Sequence, residues 1–418
     1  MIVVKKVVFI IVIVSLLCIC YFFVLSQQDY DEPTIRLDRV THSDDPSVLD
    51  SGTPEERESA SSGEQNWAMH RGSPGLTGLS EAVISERLRL DWSYDTGDEI
   101  QSSAVVVDGC VYVGSMNGNL YALGADTGTE LWQATTEDVI EATPLVVGNT
   151  VYIGSADGWC YAFDTADGSL RWKFQTQDRI LGAANWFIDE QGRPCILVGS
   201  YDAYLYCLNA ADGTEIWRYE SDNFINGSPA VAQGKIVFGG CDAMVHVLDA
   251  QTGQSLHRID AESEIAASVA FDGRHAFVGT YGNEVLCVDT QAGQIVWRYD
   301  RTTFPFVSSP ALGESRVIIG SRSKTLYCLD RNSGEVLWEF QARGKIDSSA
   351  VICPGKVVVG SDDGRIYMVG LDDGKLLWSY EIGQVIGASP AVSAGRIFIG
   401  SIDGSLYAFG PVDPATQE

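Results

Sequence analysis

The sequence is short of positive charge. Lysine and arginine number 28 against 56 acidic residues, a formal net charge of −28. A chain of that sign repels phosphate backbones, which excludes nucleic acid as a main partner and favours basic partners or plain solubility. Histidine is scarce. The five copies, His42, His70, His246, His257 and His275, show no metal-ligand spacing. Beyond the first 26 residues there is no CxxC pair, which excludes a zinc site of that kind, and no sustained helical periodicity. What the chain does have is 45% apolar residues, 10% aromatics and 43 glycines over 418 residues. That is enough for a large core crossed by many turns.

The acidic balance breaks only at the N-terminus. Lys5 and Lys6 precede an apolar run over 7–25, interrupted by Ser15, Cys18 and Cys20. Nineteen helical residues rise roughly 28 Å, close to a hydrocarbon core of about 30 Å. Residues 1–26 therefore read as an uncleaved signal anchor, an N-terminal transmembrane helix, with a cleaved signal peptide as the alternative. The lysines place the N-terminus in the cytoplasm and the rest of the chain outside it, in a periplasmic or other extracytoplasmic space. Residues 27–65 are acidic, rich in Ser and Pro and poor in aromatics. They read as a disordered tether.

The remainder repeats. The stretch GSADGWCYAFDTADGSLRW from Gly154 recurs from Gly114, Gly199, Gly239, Gly279, Gly320 and Gly360, and a truncated copy starts at Gly400. The spacing is 40 residues, except for 45 before Gly199 and 41 before Gly320. Each unit parses as four short strands; in the first they cover 102–107, 110–115, 119–123 and 130–134, with Asp108-Gly109 and Asn117-Gly118 as turns. Four-strand units of about 40 residues indicate a β-propeller, with a solenoid as the alternative. The last copy lacks a fourth strand, and RLRLDWSYD over 87–95 supplies one. The expected fold is all-β: an eight-bladed β-propeller of four-stranded blades over 66–411, its ring closed by an N-terminal strand that completes the last blade, with a tail at 412–418.

Most recurring residues read as structural. One slot holds Trp92, Trp132, Trp172, Trp217, Trp297, Trp338 and Trp378, with His257 as the exception. These are inter-blade wedges, and the glycine that ends each second strand lets a ring or backbone approach closely. The Asp-Gly pairs are turns, without the oxygen spacing of a calcium loop. Cys207, Cys287 and Cys328 share one apolar slot in different blades, too far apart to bridge, which leaves room for one incidental disulfide at most.

The Asp-x-x-Thr/Asp-Gly-x-x-x-Trp pattern, as from Asp164 to Trp172 and from Asp289 to Trp297, resembles the pyrroloquinoline-quinone (PQQ) repeat family. The lead-in NWAMHRGSPGLTGLSE over 66–81 is similar as well. That family includes quinoprotein alcohol and glucose dehydrogenases and also BamB, a non-catalytic subunit of the β-barrel assembly machinery. Fold does not imply function, so the variable positions must decide. The loops that enter the first strands surround the channel mouth, with Gln101, Glu141, Leu181, Asn226, Ala266, Val307, Asp347 and Gly387 in one slot. The dehydrogenases place a glutamate and an asparagine as calcium ligands there, with a catalytic aspartate one blade further. Glu141 and Asn226 resemble the ligand pair, but the aspartate position holds Ala266. The mouth candidates are thus Gln101, Glu141, Asn226 and Asp347. The resemblance favours a BamB-like, non-enzymatic membrane-tethered scaffold for envelope proteins, without cofactor or metal. A PQQ and calcium-dependent dehydrogenase and a ligand-sensing propeller are the alternatives.

Overall fold

The computed structural model describes residues 66–412. The expected anchor, acidic tether and all of the tail after Val412 lie outside the described residues. Among the described residues no helix is long and apolar enough to cross a membrane. The single helical segment there is a 3-10 turn, His70–Gly72.

Thirty-two strands form eight four-stranded antiparallel sheets. Blade 1 contains Val105–Val107, Cys110–Gly114, Asn119–Gly124 and Glu130–Thr135, hydrogen-bonded in that order. The middle strands bury nearly every side chain, since both faces meet neighbouring blades; the outer strands alternate, as in Glu130–Thr135. The innermost strand is shorter than the sequence suggests. Residues 102–104 leave the ladder because their polar groups bond to the next blade: Ser102 Oγ donates to Ala142 O at 2.8 Å, and Ser103 N–H donates to Thr143 Oγ1 at 3.3 Å. The five extra residues before Gly199 form the turn between Asn185–Ile188 and Pro194–Gly199.

The ring closes as the sequence implies. Leu88–Asp95 pairs antiparallel with Ser405–Pro411, from Leu88 opposite Pro411 to Asp95 opposite Ser405, and completes blade 8.

Each wedge tryptophan leans on the following blade. Nε1–H of Trp172 donates to Ala210 O at 3.0 Å, and the equivalent bonds run from Trp92 to Ala125, Trp132 to Thr165, Trp297 to Arg331, Trp338 to Leu371 and Trp378 to Leu88. Trp217 occupies the same place with its Nε1 unpaired. The ring lies on the glycine of the next blade's last turn: a Cβ on Gly128, whose φ is +67°, would stand 2.6 Å from the Trp92 ring. The glycine that ends the second strand has a different neighbour. A Cβ on Gly114 would overlap Cγ2 of Ile140, the isoleucine leading into blade 2, and Gly154 meets Ile180 in the same way. The close approach expected there is thus made by an aliphatic side chain, not by the tryptophan.

The lead-in segment makes a circuit of the ring. Trp67 pairs with Val106 of blade 1, and Ala68 O accepts from Val146 N of blade 2. Pro74 O accepts from Asn185 Nδ2 of blade 3 and Val231 N of blade 4. Gly75, Thr77 and Gly78 carbonyls accept from Phe271, Leu312 and Ile352 of blades 5, 6 and 7, and Ser80 Oγ donates to Val392 O of blade 8. These amides belong to the innermost strands, which have no further strand to pair with, so one segment satisfies what each blade leaves over.

Candidate functional site

The loops that lead into the innermost strands bring the whole mouth slot around one cavity. Gln101, Glu141, Asn226 and Asp347 line it together with Leu181, Ala266, Val307 and Gly387, and its volume is about 190 Å³. The four mouth candidates therefore share one site. Most of their polar atoms are already engaged. Asn226 Oδ1 accepts the Tyr201 hydroxyl at 3.0 Å, and its Nδ2 donates to Ala266 O at 3.4 Å. Asp347 is clamped by Arg322, with Nε 3.1 Å from both carboxylate oxygens and Nη2 3.0 Å from Oδ2. Gln101 Nε2 donates to Glu99 at 3.2 Å. Glu141 keeps a less satisfied carboxyl: burial pushes it above the usual carboxylate range, and the Arg179 charge opposes that only in part.

Two features deeper in the channel are absent from the sequence reading. The first is a collar of hydroxyls, two residues beyond the mouth slot: Ser103, Thr143, Ser228, Ser268, Ser309, Ser349 and Ser389. Each accepts the backbone N–H of the residue at the same place in the preceding blade. The bonds run from Ser228 N to Ser268 Oγ at 3.0 Å, Ser268 to Ser309 at 3.1 Å, Ser309 to Ser349 at 2.9 Å, Ser349 to Ser389 at 3.1 Å and Ser389 to Ser103 at 3.0 Å. Ser103 continues it to Thr143, and Ala183 N reaches Ser228 Oγ at 2.9 Å. Ala183 holds the eighth place without a hydroxyl. Stacking the repeats exposes this signal, because a hydroxyl recurs one residue before the apolar run in nearly every copy.

The second feature is the floor. The circling segment sets His70 and Arg71 across the end of the channel. His70 Nδ1 lies 3.4 Å from Thr143 Oγ1 of blade 2. Arg71 donates to Pro310 O and Ser349 O of blades 6 and 7, both at 3.0 Å. Burial, with the Arg71 charge beside it, pushes the His70 imidazole down to about 3, so it is neutral near pH 7. Burial also lowers the Arg71 guanidinium, to about 9, which leaves it charged there. His246 and His257 are held by structural contacts. Buried His246 bonds to Asp242 at 2.9 Å and to the Tyr219 hydroxyl at 3.1 Å, and His257 packs on Gly293 as the tryptophans do on their glycines.

The donor set does not fit PQQ with calcium. The Asn226 oxygen needed as a ligand already accepts Tyr201, the catalytic aspartate position holds Ala266, and Asp347 is committed to Arg322. Among the described residues no group of three or more His, Cys, Asp or Glu side chains could hold a metal ion. The eight cysteines described are all free thiols.

A channel ringed by eight such blades invites comparison with known proteins. The family model described as outer membrane protein assembly factor BamB matches residues 57–186, 191–267 and 241–413. The chain belongs to this PQQ-repeat family. No curated protein matches it in sequence. Solved PQQ-repeat and related propellers share its fold. BamB from Moraxella catarrhalis superposes with a TM-score of 0.65 at 19% identity, covering 79% of this chain and 98% of that one. The computationally designed Ika8 protein gives 0.67 at 17% identity, covering 76% and 97%. Quinohemoprotein alcohol dehydrogenase from Comamonas testosteroni gives 0.72 at 14% identity, covering 84% and 81%. An assembly factor, a design and a dehydrogenase thus share one ring, and identities this low speak for the fold alone.

Proposed function

We propose that this PQQ-repeat protein is a non-catalytic, membrane-tethered scaffold of the cell envelope, BamB-like in role, that docks other envelope proteins on its mouth face. The observation that carries this reading is an aromatic rim on blades 3 to 6. Phe224, Tyr281 and Phe304 are 45%, 42% and 50% exposed, and the Tyr201 ring stacks on Phe224 at 5.0 Å. Phe224 stands two residues before Asn226, and Phe304 three before Val307, so the rim borders the mouth. Exposed aromatics held on a rigid frame and bordered by charged groups are the usual core of a protein interface. Arg179 over the Tyr201 ring, at 5.1 Å, adds the polar edge. Mouth side chains whose polar atoms are mostly engaged by neighbouring protein groups also suit a docking surface better than a reaction centre. The apolar run over 7–25 supplies the anchor, which raises local concentration at the membrane.

The test is affinity capture from crosslinked membranes, read by mass spectrometry, with the wild type and a Phe224→Ser, Phe304→Ser variant. Recovery of barrel-assembly subunits by the wild type, lost in the variant, supports the scaffold. Calcium-dependent PQQ binding with dye-linked alcohol oxidation would overturn it in favour of the dehydrogenase reading.

A further inference from the structure

The blind end of the channel carries a charge that the protein does not balance. Arg71 is 2% exposed, and no carboxylate lies within 4.0 Å of it among the described residues. Its guanidinium is met only by the two backbone carbonyls, and its Nε has no partner. The residue also holds a left-handed backbone, with φ 61°, where arginine is strained. A buried cation served by neutral dipoles alone retains much of its desolvation cost, and a counter-ion would remove it.

Ser349, whose carbonyl Arg71 binds, belongs to a set of unspent donors. A serine or threonine hydroxyl has one proton and two lone pairs. In the collar, a lone pair of each oxygen takes an N–H from the neighbouring blade. The protons of Ser103, Ser228, Ser268, Ser309, Ser349 and Ser389 find no acceptor in the described chain, although these side chains are 3–7% exposed. All of them line the cavity. The accepted amides hold the oxygens in a fixed ring, so their protons are left to point into the channel. His70, on the blade 2 side, can add a ring N–H opposite Arg71 on blades 6 and 7. A cation would meet the same guanidinium. An acceptor with negative charge would satisfy both the donors and the charge.

We propose that the blind end of this channel is a binding site for a small oxyanion, a carboxylate or phosphate group, held by the collar hydroxyls over the Arg71 guanidinium. The cavity of about 190 Å³ admits a group of that size; His70 and the collar line it, and Arg71 stands behind the lining, bonded to the Ser349 carbonyl. Two carboxylates stand on the way in, Glu141 and Asp347. Asp347 is neutralised by Arg322, and Arg179 acts on Glu141, so entry is not closed by charge. This site is independent of the docking rim, and its failure would leave the scaffold reading intact.

The test uses the full chain, dialysed free of phosphate and carboxylate buffers, at ionic strength fixed with chloride. Inorganic phosphate and acetate are titrated separately by calorimetry and by their effect on the thermal midpoint. A saturable response to either supports the site, and the stronger ligand identifies the oxyanion. The informative variants are Ser309→Ala and Ser349→Ala, because Ala183 shows that the collar tolerates a missing hydroxyl. Each should weaken binding about tenfold, the scale of one hydrogen bond to a charged group. Arg71→Met, where it folds, should abolish binding. A wild type with no saturable response, or one matched by the Ser309→Ala, Ser349→Ala double variant, would overturn the proposal.

Discussion

Trp172 and Gly213 show what a single position of the repeat has to do. The indole is buried, bonds to Ala210 and lies on Gly213, where φ is +72° and a Cβ would overlap the ring. Trp172→Ala should lower stability by about 3–5 kcal/mol, measured as a urea midpoint shift. Gly213→Ala should cost about 1–3 kcal/mol for the overlap and the positive φ together, without loss of any bond. An unshifted midpoint for either would rule out the wedge. Both residues were legible, because a large ring and a glycine recurring at one spacing leave few physical explanations. His70 and Arg71 were not. They precede the repeat, and only the circuit around the ring brings them to the axis. Their burial has a measurable consequence. The native His70 sits near 3, while an unfolded histidine sits near 6.5. Between those values the unfolded chain takes up a proton that the native chain refuses. Stability then falls with falling pH, by up to ~1.4 kcal/mol per unit, and levels off below the native value. His70→Asn should flatten this limb between about pH 6 and pH 4. Carboxylates such as Asp289, held at about 2 chiefly by the Ala292 amide, act at lower pH and do not mask it.

Among the elements, the closing strand is the most exposed to failure. Leu88–Asp95 carries Trp92 onto blade 1 and covers the edge of Ser405–Pro411. Ser93 pairs with Tyr407 in mid-ladder. A proline there removes the backbone donor and crowds the strand, so Ser93→Pro should cost on the order of 3 kcal/mol and leave blade 8 with an open edge. Light scattering should then reveal association, and a protein that stays monomeric and keeps its melting temperature would show that closure matters little. The four-strand pattern and this closing strand could be read from turn pairs and a missing tryptophan. The short innermost strands could not be, because Ser102, Ser103 and Ala104 run into Val105–Val107 without a turn residue to mark where the ladder begins. Only the neighbouring blade draws their polar groups away.

At the scale of the molecule, eight blades were legible from the count of repeats, whereas the closed end of the channel was not. A periodic sequence reports what every blade shares, and the lead-in is shared by none. Removal of residues 66–80 should open the channel at its far end and strip one partner from each innermost strand. Hydrogen exchange should then accelerate at Val106, Val146, Val231, Phe271, Leu312 and Ile352 together, in contrast to a loss confined to one blade. The closing ladder also sets the timing of assembly. Asp95 and Ser405 are roughly 310 positions apart, and joining such ends costs ~3 kcal/mol more chain entropy than closing a ten-residue hairpin. A chain made from its N-terminus produces Leu88–Asp95 first and its partner strand last. The earliest strand of the propeller must therefore wait, unpaired, until the final blade exists, and the molecule cannot be completed one blade at a time.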